Sequence, residues 1–199
     1  GEFIADTADT ILGEPRRSST ELSKRTAEED AYDPEKARLD ETRRINESLR
    51  EYTRSLESVA DKLEKDCWNI CSTNIKNLVA DLKVINGQVY NGRKLNVNLD
   101  RLERKLNDVE RSINGKIKRQ LSKKISIDDS ECLAILKMPR GNEKEKAMKA
   151  FSDGVFNKAL IDLSKKIKEI VLEQCTLITE QIEDRLDQIT DSLTELRES

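Results

Sequence analysis

Apolar residues recur at alternating steps of four and three along Ile45, Leu49, Tyr52, Leu56, Val59 and Leu63. The ladder returns as Leu95, Leu99, Leu102, Leu106, Val109 and Ile113, and again as Ile182, Leu186, Ile189, Leu193 and Leu196. A 3.5-residue spacing held over several turns belongs to long helices that bury a narrow seam against other helices.

Punctuation between the ladders sets the expected elements. Asp33 reads as an N-cap and Pro34 as a first helical residue, where its missing amide hydrogen costs nothing. A first helix is predicted from there to about Asn86, stopped by Gly87 in a left-handed turn. Tyr90, Asn91 and Gly92 complete a short connection, so a second helix from about Arg93 should fold back antiparallel. Asn114 and Gly115 offer a kink or a stop, and Ile117, Leu121 and Ile125 resume the stripe. A second break over Ser126 to Ser130 precedes a short apolar piece around Cys132, and Met138 to Gly141 form the next loop. Asn142 with Glu145 loosely matches a capping box that opens the last helix, which Gly154 could break early. The first and last helices would each be about 75 to 80 Å long.

Residues 1–32 keep no period and are rich in Thr, Ser, Asp, Glu and Arg, with Gly13 and Pro15 as interruptions. They read as a polar, mobile N-terminal lead, able at most to lie along the bundle through Ile4, Ile11, Leu12 and Leu22. Residues 33–199 read as an elongated helical domain. The expected fold is all-α, an elongated bundle of long antiparallel helices with three long helices plus a short connecting helix.

Composition agrees with slender helices. Seven Gly and three Pro are too few for the turns of an all-β domain, and 38% charged with 4% aromatic residues leaves a thin core. The net charge of −3 is unevenly spread. Residues 1–30 hold four basic and eight acidic side chains and residues 179–199 hold two and seven, leaving +6 for the middle. That disfavours general nucleic-acid binding and points to a local basic surface. No run approaches a transmembrane segment. The opening residues carry no apolar signal-peptide block, which is uninformative where a chain is read in its mature form.

Four cysteines fall at Cys67, Cys71, Cys132 and Cys175. Counting helical rise from the turn at Gly87 puts Cys71 about 24 Å down the rod and Cys175 at a similar height, roughly 20 Å from the top. This proposes Cys71 with Cys175 and Cys67 with Cys132, or the same partners with Cys67 and Cys71 exchanged. The alternatives are reduced core thiols and, least favoured, a metal site, since the spacing is no Cys-x-x-Cys knuckle and the chain has no histidine.

The missing histidine also removes the His-based triads and the usual general base near neutral pH. Neither glycine-rich phosphate motif is present, and carboxylates such as Glu180, Glu183, Asp184 and Asp187 are spaced as a solvated face. The sequence therefore reads as a non-enzyme with no cofactor. Lys116, Lys118, Arg119, Lys123 and Lys124 form the densest basic patch, backed in sequence by Arg101, Arg104, Lys105 and Arg111. Such a patch could bind a heparin-like polyanion, although a plain solvated face explains it too. No aromatic residue interleaves the lysines, so nucleic-acid stacking has little support. Trp68, the single tryptophan, reads as core rather than as a partner anchor.

The polar acidic lead followed by long helices with cysteines at 67, 71, 132 and 175 resembles the secreted salivary proteins of blood-feeding mosquitoes, the aegyptin type and its relatives. The Gly-Asp-Glu-rich repeat expected at the start of aegyptin-type proteins is missing, which puts collagen binding in doubt. The resemblance implies a secreted, non-enzymatic protein that binds a host or cuticular protein. Two functions compete: an extracellular binding protein that engages a protein or polyanionic partner through its helical surface, and an intracellular, cytoplasmic coiled-coil scaffold or assembly factor with reduced cysteines.

Overall fold

The computed structural model describes residues 2–90, 92–94 and 96–199, with the side chains of 2–12, 89, 90 and 93 left aside. Among the described residues the chain is all-α: α1 (Glu2–Glu28), α2 (Leu39–Ser55), α3 (Glu57–Gly87), α4 (Asp100–Ile113), α5 (Lys116–Lys124), α6 (Ser130–Leu136) and α7 (Asn142–Glu198). The one strand pairing among the described residues is a two-residue antiparallel ladder of β1 (Val89–Tyr90) on β2 (Arg93–Lys94), with Gly92 in the left-handed region at φ 79°. Asn91 of the expected connection, Leu95 of the second ladder, and the side chains of Ile4, Ile11 and Leu12 lie outside the described residues.

The chain divides into two compact units. The first comprises residues up to Glu64 together with Gly115–Leu163; the second comprises Lys65–Asn114 and Ser164–Ser199. α1, which lies within the segment expected as a lead, belongs to the first unit. Pro15, expected as an interruption, lies inside α1 and forms its buried stripe with Ser19, Leu22, Ser23, Thr26 and Ala27. The small polar residues among these have their hydroxyls satisfied locally: Ser23 donates to Thr20 O at 2.8 Å and Thr26 to Leu22 O at 2.8 Å. Ser19 and Ser152 hydroxyls meet at 2.5 Å, and Tyr52 donates to the Ser152 carbonyl at 3.2 Å. Burial, with the nearby Asp153 charge, pushes the Tyr52 phenol up.

The first long helix is interrupted twice relative to expectation. Asp33 does cap a turn, its carboxylate accepting from Glu35 N at 3.1 Å, but the helix proper starts at Leu39 after an extended Arg38. At Leu56, fully buried, α2 ends and α3 begins. Beyond it Ala60 and Glu64 take the inner line while Val59 and Leu63 are only half-buried, so the stripe changes register by one residue. α1 and α2 run antiparallel, tied by the Arg25–Glu51 pair and by Arg44 to Glu29 at 3.2 Å.

Two buried charged side chains close helix ends in the first unit. The Glu64 carboxylate, on an almost fully buried residue, accepts from Gly115 N at 2.6 Å and Ile117 N at 2.8 Å, the orphan amides of α5. Gly115 itself stands at φ 71°, a conformation that suits glycine. Lys144, 1% exposed, donates to Glu29 O at 2.9 Å and Asp30 O at 3.1 Å just past α1. Burial lowers its ammonium pKa, with Glu29 and Asp30 working the other way. Gly141 N to Ala27 O and Tyr32 N to Leu136 O, at 3.2 and 2.9 Å, secure the same corner.

The second unit is built from α3 after Glu64, α4 and α7 after Leu163. Its core is Ile75, Val79, Leu82, Leu102, Leu106 and Ile178, edged by Trp68, Leu78, Ile85, Leu99 and Ile182, so the tryptophan packs on the core as expected. α4 folds back antiparallel on α3, with Lys83 to Glu103 at 3.4 Å. Gly87 ends α3 without entering the left-handed region. The return is instead fixed by Asn86, which donates to Val97 O at 3.1 Å and accepts from Val97 N at 3.0 Å. This delays α4 to Asp100 rather than Arg93. Lys105 to Glu173 at 2.7 Å and Arg185 to Asn96 O at 3.1 Å align α7 antiparallel to α4. Gly154 does not interrupt α7.

Replacing Glu64 by Ala leaves two partly or fully buried amides without an acceptor. A loss of about 2 to 4 kcal/mol in urea unfolding is expected, with faster amide exchange at Gly115 and Ile117. Lys144→Ala should cost a similar, roughly 2 to 4 kcal/mol amount.

Candidate polyanion-binding surface

α5 presents Lys-Ile-Lys-Arg-Gln-Leu-Ser-Lys-Lys as one amphipathic turn set. Ile117 and Leu121 are buried at 0% and 1%, which fixes the rotation of the helix. At about 100° per residue, Lys116, Arg119 and Lys123 then fall within about 60° of one another on the outward side. They make a cationic stripe about 10 Å long. Among the described residues none of these three has a carboxylate within 4.0 Å. Arg119 lies back over Gly115, its Nη1 3.0 Å from where a Cβ there would stand.

The other two lysines of the predicted patch are differently placed. Lys118 pairs with Glu57 at 3.2 Å and Lys124 with Asp129 at 3.1 Å. Burial works to raise the Asp129 carboxyl, but the amides of Cys132 and Glu131 and the Lys124 ammonium outweigh it and hold it below the usual range. Lys124 is pushed up by the same hydrogen bond. The link therefore persists into mildly acidic solution. Asp129 is also the N-cap of α6, accepting from Glu131 N and Cys132 N at 3.0 Å each.

Arg101, Arg104, Lys105 and Arg111 lie on α4 in the second unit, whereas α5 belongs to the first. Lys105 is engaged by Glu173, whose carboxyl it holds low, and Arg104 donates to Asp100 O at 3.3 Å. A basic feature the sequence reading missed lies on α2, in the first unit. Arg43, Arg50 and Arg54 share a shallow groove of about 350 Å³ with Leu39, Thr42, Asn46 and Glu47. The spacing of i, i+7 and i+11 could have revealed it.

Among the described residues Cys71, Cys132 and Cys175 carry no disulfide, in contrast to the expected pairing. Cys132 is fully buried in the first unit, while Cys67, Cys71 and Cys175 belong to the second. Counting rise along a helix gives height but not azimuth. Cys71 lies on the buried line of α3 with Ile75, Val79 and Leu82, whereas on α7 the inward residues are Gln174 and Ile178 and Cys175 is exposed. Burial raises the Cys71 thiol and carries that of Cys132 to about 11.

Among the described residues no group of three or more cysteines and carboxylates could hold a metal ion, and no helix is long and apolar enough to cross a membrane. Compared with known proteins, the chain matches no family model, no curated protein and no solved structure.

In the reduced protein at pH 8, iodoacetamide should label Cys175 first. Cys71 and Cys132 should label only in denaturant, Cys132 being both enclosed and about three pH units from half-ionisation. Peptide mapping of time-resolved alkylation reads the order directly.

Proposed function

We propose that the protein is a non-enzymatic binding protein that engages a polyanionic or protein partner through its helical surface. The observation that carries this reading is the α5 stripe of Lys116, Arg119 and Lys123, outward-facing and, among the described residues, with no carboxylate within 4.0 Å of its cations, beside two lysines that are neutralised by Glu57 and Asp129. Sulfated or phosphorylated chains suit a linear row of cations, because each neutralised charge releases a counterion. The groove with Arg43, Arg50 and Arg54 adds cationic surface to the same unit. A secreted location, and kinship with the aegyptin-type salivary proteins, belong to this proposal through the resemblance in cysteine layout.

The scaffold reading is the second. The unbridged state of Cys71, Cys132 and Cys175 and the half-exposed ladder at the end of α7 favour it, since seams left open can continue into another chain. Its setting would be cytoplasmic, where thiols stay reduced.

Binding to immobilised heparin should weaken steeply with salt. Lys116→Ala, Arg119→Ala and Lys123→Ala together should lower the log-log salt slope by about three and affinity by at least about tenfold near 0.15 M salt. Neutralising Lys118 and Lys124 should do much less. Retention that ignores both salt and the triple variant rejects the polyanion partner. For location, intact mass after alkylation of native material with and without reductant decides. Bonds that open on reduction support secretion, and four alkylatable thiols overturn it.

A further inference from the structure

Past Ile178 no residue of α7 is buried, although the four-three ladder continues through Ile182, Leu186, Ile189, Leu193 and Leu196. Ile182 still packs on the core of the second unit, but Leu186 is 50% exposed and Leu196 66%. From Leu186 to Leu196 this open seam runs about 15 Å.

The charges along it are arranged by heptad position. With Leu186 and Leu193 at a and Ile182, Ile189 and Leu196 at d, the acidic Asp184, Asp187, Asp191, Glu195 and Glu198 all fall at b, c and f, away from the seam. The flanking e positions are Glu183, Thr190 and Arg197, and the g positions are Arg185, Ser192 and Ser199. A segment whose overall charge is strongly acidic thus has a seam without like-charge conflict.

We propose that this part of α7 pairs with the same segment of a second copy as an antiparallel two-stranded coiled coil. Laid antiparallel with Leu186 against Leu196 and Ile189 against Leu193 of the other copy, the e positions meet as Glu183 with Arg197 at both ends and Thr190 with Thr190 at the centre. The two-fold axis makes each contact occur twice. A parallel, in-register pair instead sets Glu183 beside Ile178 and Arg197 beside Ser192, with no ion pair. The Glu183–Arg197 pairs therefore select the antiparallel direction, and the self-complementarity of the e positions about the two-fold axis fits a second copy of the same segment. The inference stands on α7 alone and does not depend on the polyanion reading. Two heptads bury less surface than a stable complex needs, so the dimer should be weak, with Kd on the order of 100 µM.

Sedimentation equilibrium of the full chain from about 5 µM to 1 mM tests it. The average mass should rise from the monomer's 22.8 kDa toward twice that value. Leu193→Asp, outside the buried core, should abolish the rise with helix content by circular dichroism unchanged. Glu183→Arg and Arg197→Glu should each weaken association at least about fivefold, and the double swap should restore it. A monomer at every concentration, oligomers indifferent to Leu193→Asp, a mass beyond the dimer, or a double swap no better than the singles would each overturn the proposal.

Discussion

Peptide groups at helix ends need partners, and in the first unit two buried side chains of opposite charge supply them. Glu64 presents a carboxylate to the amides that open α5, and Lys144 presents an ammonium to carbonyls that follow α1. Each sign matches the partial charge at the helix end it meets. Slender helices with narrow apolar stripes gain little from burial alone, so the breaks between them have to be closed by polar contacts that specify geometry. The direction in which α5 displays its cations follows from this. Ile117 and Leu121 point inward because the amide of Ile117 is held by Glu64, and Lys116, Arg119 and Lys123 must then point out.

The ladders made the all-α class legible, since a 3.5-residue period has no other economical reading. The breaks at Asn114–Gly115 and around Ser126 to Asp129 were legible too, because glycine and capping residues act locally. α1 was not. Its buried line is Pro15, Ser19, Ser23, Thr26 and Ala27 with a single leucine, and a stripe rich in small hydroxyl residues looks like solvent-facing sequence until a neighbouring helix approaches closely. The kink at Leu56 was equally silent, as leucine continues a ladder and carries no turn signal. What moves the stripe there is tertiary, the need to bring Glu64 to the α5 amides.

The basic cluster on α5 was visible as composition, and its three-to-two division into outward and paired cations was not. Glu57 lies 61 residues before Lys118, so their pairing at 3.2 Å belongs to tertiary structure. The cysteines show the converse error. Rise per residue put Cys71 and Cys175 at one level, and the burial of Gln174 and Ile178 turned Cys175 outward. Height along a helix is cheap to infer, and rotation about it depends on the whole apolar set.

Asn86 carries one further consequence. By exchanging two hydrogen bonds with Val97 it welds the base of the excursion between α3 and α4, so the register of those helices is fixed below the strand pair rather than by it. Chain inserted between the two welded residues adds only a slowly growing closure entropy to a ring that is already shut. That makes the tip around Gly92 a place where evolution, or an engineer grafting a peptide, can vary length and chemistry while the helical core beneath keeps its alignment.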